Sequence, residues 1–246
     1  MSTASPSLPT SLSIPSYVTT RLRNHTWTGL RLMIIGFALY WVPVLSYVGA
    51  VLLLFGVVFL WFGRRAFNEA HRRWVAAGTV LLFVGLVGTL AVAVASYLLL
   101  DQITGSAATS ASQRLATLQQ AVDISVVGNF GVAVVAALGF VAMPYGRADT
   151  VSRGILWAGF AISVFIVLEL FYNQWSEFSS AIASVSNGTY NGTELNGVQE
   201  QIYLAGIAQV VPCILWAWAY LRVRKRLFPG GKKAMRASIL SDLRTG

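Results

Sequence analysis

The chain has 246 residues, 56% of them hydrophobic and only 11% charged, with a formal net charge of +9. Soluble domains carry roughly 25% charged residues, so a chain this apolar is expected to fold in a bilayer, where helices satisfy their own backbone hydrogen bonds. The positive charge does not argue for a nucleic-acid partner, because Lys and Arg sit at the ends of apolar runs rather than on one soluble face.

Residues 1–26 are rich in Ser, Thr and Pro near the start (Ser5-Pro6-Ser7-Leu8-Pro9) and lack the apolar core of a signal peptide. They read as a flexible cytoplasmic tail. Leu32 to Phe62 is apolar with few breaks. As a single helix it would be about 46 Å long, against a hydrocarbon core of about 30 Å. Pro43 and Ser46 divide it into two spans, 28–43 and 45–63, with Trp41 and Tyr47 flanking the turn as interfacial aromatics. The third span is 74–100, followed by an outer loop, 101–121. Leu115, Leu118 and Val122 fall at helical spacing, which allows the second half of that loop to extend the next helix. The fourth span, 122–143, ends at Pro144 and Gly146. The fifth, 154–172, leads into a polar outer loop, 173–200, and the sixth is 202–221. The membrane domain is therefore 27–221, and 222–246 is a basic cytoplasmic tail.

Charge sets the orientation. This threading puts every Lys and Arg except Arg114 on one side, and places Asp101, Asp123, Glu177, Glu194 and Glu200 on or near the other. By the positive-inside rule both termini are cytoplasmic. The expected fold is an all-α, polytopic helical membrane bundle of about six transmembrane helices in the cell membrane.

Glycines recur seven residues apart: Gly29 and Gly36, then Gly49, Gly56 and Gly63, then Gly78 and Gly85. Seven residues is nearly two helical turns, so each set shares a face. Small residues let helices approach closely in lipid, within one chain or between copies.

Glu169 is the carboxylate deepest in an apolar run. Such a group is costly in hydrocarbon and is a candidate functional site, although it lies about 22 Å along its helix from Gly154, toward the outer leaflet. Asp123, Ser125, Asn129, Asn173, Gln174 and Gln209 fall at a similar depth and would form a polar pocket if the bundle brought them together. Separate interhelical hydrogen bonds are the simpler alternative. Asn187-Gly188-Thr189 and Asn191-Gly192-Thr193 are glycosylation sequons in the outer loop, whereas Asn24-His25-Thr26 lies inside and should stay unmodified. Arg222, Arg224, Lys225 and Arg226 form a juxtamembrane cluster suited to anionic lipid headgroups. His25 and His71 lack a second ligand at metal spacing and read as surface or interfacial residues. Cys213 is the lone cysteine, which excludes an intramolecular disulfide and a multi-cysteine metal site. No catalytic or phosphate-loop motif is found, and no cofactor is expected.

The segments Gly29-Leu30-Arg31-Leu32-Met33-Ile34-Ile35-Gly36, Val42-Pro43-Val44-Leu45-Ser46-Tyr47-Val48-Gly49 and Leu52-Leu53-Leu54-Phe55-Gly56 resemble the N-terminal half of uncharacterised archaeal multi-pass membrane proteins. The resemblance covers about residues 29–90, and the two outer sequons fit an archaeal surface. It implies no activity. Three functions stay open: a non-enzymatic scaffold or assembly component, alone or with a membrane-protein partner or second copy; a small transporter or channel with a polar site near Glu169; and an intramembrane enzyme or sensor. The absence of reactive motifs favours the first.

Overall fold

A computed structural model describes residues 16–42, 44–105, 110–189, 204 and 206–231. Among the described residues there are six helices and no strand: α1 (Ser16–Tyr40), α2 (Ser46–Gly63), α3 (Glu69–Gly105), α4 (Ala111–Tyr145), α5 (Thr150–Ser186) and α6 (Val210–Leu227). Five of them, α2 to α6, are long and apolar enough to cross a membrane, with the stretch Gly206–Leu227 carrying the last. The protein is an all-α helical membrane bundle.

α1 is the exception, because Arg21, Arg23 and Arg31 dilute its apolar content. Even so, it lies antiparallel along α2. Thr26 donates from Oγ1 to the Gly63 carbonyl at 3.0 Å, and at the other end Gly49 lies under the Tyr40 backbone. The stretch from Thr26 to Tyr40 therefore matches α2 end to end. The chain reverses through 41–45, where Val42 N donates to Leu39 O and Leu45 N to Val42 O; Pro43 itself is outside the described residues. Between these ends Gly36 faces Leu53 and Gly56 faces Met33, so small residues on both helices admit the side chains opposite.

Along the bundle, α1 packs on α2 and α6, α6 on α5, α5 on α4, and α4 on α3, while α2 and α3 barely touch. α3 and α4 repeat the close approach of the hairpin. Gly78 and Gly139 each abut the other's carbonyl, and Gly85 faces Ala136. One aromatic cluster closes the middle of the bundle. Phe37 of α1 meets Phe140 of α4 and Trp216 and Tyr220 of α6 at ring-centroid distances of 5.2, 5.6 and 5.4 Å. The polar atoms of these rings are satisfied: Tyr220 donates to Phe140 O at 2.8 Å and Trp216 Nε1 to Leu156 O at 3.3 Å.

The helices outrun the expected spans. α1 starts at Ser16, so the supposed tail 1–26 is helical from that point, and only 1–15 lies outside the described residues. Its first turns are held because Thr26 also bonds Leu22 O, and His25 stacks on Phe59 at 5.7 Å. α3 extends the third span at both ends. α4 begins at Ala111, inside the expected 101–121 loop, with Ser110 and Gln113 forming a reciprocal capping box. α5 starts at Thr150, capped by Asp149, and runs on to Ser186, well into the expected 173–200 loop. α6 is shifted toward the basic end relative to 202–221 and carries Arg224, Lys225 and Arg226 in its last turn, where cations complement the helix dipole. The tail 232–246 is outside the described residues.

Candidate functional site

The 35 residues of α4 and the 37 of α5 make rods about 52 and 55 Å long, against a hydrocarbon core of about 30 Å. α3 is as long as α5. These three helices are therefore longer than a bilayer's core requires, and at the end away from Arg147 and Arg222 they frame a half-open cavity of about 570 Å³. Its wall is formed by Ser96 and Leu100 of α3, a stripe from Leu115 to Asn129 on α4, and a stripe from Phe171 to Val185 on α5. Most of these side chains are apolar. The polar exceptions are Ser96, Ser125, Asn129 and Gln174. Asn129 donates to Ser125 Oγ at 3.4 Å. Ser96 Oγ is buried and has no hydrogen-bond partner among the described residues.

Next to the cavity a polar clasp joins α4 to α5. Asp123 Oδ1 accepts from Gln119 Nε2 at 2.9 Å and from Trp175 Nε1 at 2.8 Å, and Gln119 also reaches Ser179 Oγ at 3.1 Å. Asp123 sits about 33 Å along α4 from Tyr145, at the edge of the hydrocarbon. A charged group is affordable there only because it is hydrogen-bonded and near water.

The polar residues marked in the sequence do not gather into one pocket. Asn129 lines the cavity and Asp123 braces it from the clasp. Gln209 precedes α6 and accepts from Ser163 of α5 at 3.4 Å, away from the cavity. Asn173 is half-buried and outside the cavity wall. Glu169 is exposed, on the same face of α5 as Phe165, Leu168 and Tyr172, all exposed as well. That face looks away from the bundle. Ser125 and Gln174, also marked in the sequence, line the cavity, whereas Ser96, Phe171 and Phe178 were not singled out; for the two phenylalanines the signal was a second helical stripe, Phe171, Gln174, Phe178, Ile182 and Val185, running past the membrane length of α5.

At the opposite end the side chains are basic and tightly placed. Arg222 reaches across from α6 to Asp149 Oδ2 at 2.9 Å and to Ser152 Oγ at 3.3 Å, while Ser152 also donates to Asp149. The Ser152 hydroxyl and then the Arg222 guanidinium hold the Asp149 carboxyl well below the usual carboxylate range. Arg224 lies over Trp27. Of the cluster assigned to lipid headgroups, Arg222 and Arg224 therefore have partners within the protein. His71 is not a surface residue: it is 2% exposed, its ring edge-on to Phe67 at 5.2 Å. Phe228 packs on Phe67 in turn. Asn187 is exposed at the end of α5, and Asn191 lies outside the described residues.

Among the described residues no group of three or more His, Cys, Asp or Glu side chains is placed to hold a metal ion. Cys213 is buried, and no described residue pairs with it in a disulfide. The fold and the cavity together define a polytopic α-helical membrane protein with a mostly apolar cavity at the end away from Arg147 and Arg222. Comparison with protein-family models, with curated proteins and with solved structures gives no match for this chain.

Proposed function

We propose that this protein is a non-enzymatic component of the cell membrane, with both termini cytoplasmic, that holds an apolar chain such as a lipid acyl or isoprenoid tail between α3, α4 and α5. The cavity carries this reading. Its volume is that of small-molecule sites, and its wall has their character, mostly apolar with a few polar groups. The unpartnered Ser96 hydroxyl is available to a polar group on the occupant. A static, scaffold-like role fits better than transport. No wall residue lies deeper than Asn129 on α4 or Phe171 on α5, and the packed Phe37, Phe140, Trp216 and Tyr220 rings close the bundle further in.

Ala121 and Ala181 line the cavity, so a phenyl ring at either position intrudes on the space an occupant needs. Native mass spectrometry of the protein extracted in mild detergent should show a retained apolar adduct. Ala121→Phe and Ala181→Phe should lose that adduct while keeping the helical circular-dichroism signal. Wild-type protein without an adduct, or folded variants that keep it, would overturn the reading. A stoichiometric protein partner in the same spectra, with no small molecule, would favour an assembly role instead.

A further inference from the structure

The turn between α4 and α5 and the last turn of α6 meet around a pocket of about 220 Å³, lined by Gly146, Arg147, Ala148, Arg153, Arg226 and Leu227. Three guanidinium groups face this small space. The nearby carboxylate is engaged elsewhere: Asp149 is held by Arg222 and Ser152, and Glu69, further off, is shared by Arg72 and Arg73. Among the described residues no carboxylate forms an ion pair with Arg147, Arg153 or Arg226.

Aromatic faces hold two of these groups in place. Arg147 lies over Phe67 at 5.1 Å and Arg153 over Tyr145 at 4.8 Å. A cation–π contact uses the flat face of a guanidinium and leaves its in-plane N–H fork free. Arg147 Nε is buried and has no hydrogen-bond partner among the described residues. Burial, and then the charge of Arg226, push the Arg147 guanidinium below its ordinary range. A pocket lined by three arginines and no paired carboxylate favours an anion. A tetrahedral oxyanion matches several guanidinium forks at once, and basic pockets at the cytoplasmic face are where acidic headgroups bind.

We infer that Arg147, Arg153 and Arg226 form a binding site for a phosphate group, either that of an anionic phospholipid or free phosphate. Arg147 belongs to the α4–α5 connection and Arg153 to the first turn of α5, not to the basic tail. All three arginines lie within the described residues.

The test uses the full chain in a neutral, phosphate-free detergent, titrated with phosphatidylglycerol, with phosphatidylcholine or with inorganic phosphate. Binding is read by native mass spectrometry and by thermal unfolding. Phosphatidylglycerol should bind in preference to phosphatidylcholine, and R147Q/R153Q should weaken it about 25-fold, roughly fivefold per arginine. R226Q changes one exposed side chain and should cost about fivefold on its own, which keeps the test open if the double variant fails to fold. If inorganic phosphate stabilises the wild type but not the variants, the occupant is the free ion; if only the phospholipid does so, it is the headgroup. The site is refuted if R147Q/R153Q or R226Q, folded, binds phosphatidylglycerol within twofold of wild type and responds equally to phosphate. It is refuted equally if R72Q/R73Q, which removes the same charge outside the pocket, weakens binding as much as R147Q/R153Q.

Discussion

The α1–α2 hairpin offers a sharp test, because the obstacle to a larger side chain there is backbone. A methyl group on Gly49 would lie 2.7 Å from both the Cα and the N of Tyr40 and 2.9 Å from the Gly36 carbonyl oxygen. No rotamer change relieves such a contact. Reaching an ordinary carbon contact of about 3.5 Å requires the two helices to part locally by about 0.8 Å. A gap of that size forfeits a quarter to a half of each dispersion contact along the seam, where Leu53 and Met33 now interdigitate with glycines. Gly49→Ala should therefore destabilise by about 1–3 kcal/mol, the usual range for overpacking. Two controls have the same chemistry without the obstacle. Gly85→Ala meets Ala136 Cβ at 3.4 Å and should be near neutral, while Gly131→Ala meets nothing within 4 Å and should gain up to about 1 kcal/mol from reduced backbone freedom. Reversible unfolding in mixed micelles with increasing SDS, followed by tryptophan fluorescence, ranks the three variants. Equal midpoints for Gly49→Ala and Gly131→Ala would refute the claim that backbone contact sets the hairpin spacing.

Other expectations follow from single interactions. Hydrogen bonds from Ser152 and Arg222 lower the Asp149 carboxyl below its ordinary value of 3.8, so its contribution is present in full above that value and is lost as pH falls toward the folded one. Wild type should lose stability as pH drops below about 4, and Asp149→Asn should remove that part of the dependence; an unchanged acid limb in the variant would show that the Arg222 contact contributes nothing. Tyr220 is wholly buried and donates to Phe140 O at 2.8 Å, so Tyr220→Phe should cost about 1 kcal/mol in the SDS assay, and a neutral result would remove that bond as a link between α4 and α6. Ser186 ends α5 and is exposed. With Cys213 replaced by Ala, Ser186→Cys should react with an impermeant maleimide on intact cells and Arg65→Cys only after permeabilisation; the reverse pattern would invert the orientation.

The membrane character and the six helices are legible in the sequence because transfer to hydrocarbon demands long apolar runs. The ends of the helices are not, and the reason is the same. Outside the bilayer a helix needs only an apolar stripe, not an apolar cylinder. Residues 111–121 and 173–186 therefore look polar on average while Leu115, Leu118, Phe178 and Ile182 pack inward. Arg21 and Arg23 hide the start of α1 in the same way. The glycine spacing shows which faces pack but not on what; the coordinates put Gly49, Gly56 and Gly63 against α1, and Gly78 and Gly85 against α4. For the candidate site, depth along each helix can be counted from sequence, but rotation about its axis cannot. That is why Asn129 faces the cavity while Glu169, at much the same level, faces away from the bundle. Arg147 and Arg153 escaped notice as a site because topology alone already accounts for arginines in that turn.

Helix length explains why the chamber lies where it does. The α1–α2 hairpin turns back at Tyr40 and Ser46, and α2 at 18 residues is only about 27 Å long. In the middle of the bundle the space between the helices is filled by Phe37, Phe140, Leu156, Trp216 and Tyr220. α3, α4 and α5 continue past the level where the hairpin stops. The apolar stripes on α4 and α5 then have α3 and each other to pack against, but among the described residues nothing from α1 or α2. Three helices of ordinary girth with small residues at Ala121 and Ala181 leave a void between them. An empty void of this size would be unfavourable, since its walls lose the dispersion contacts that close packing supplies. The apolar wall also disfavours filling it with water. The apolar chain proposed above would avoid both costs, so the lengths of three helices and the shortness of a hairpin support the same proposal as the cavity lining.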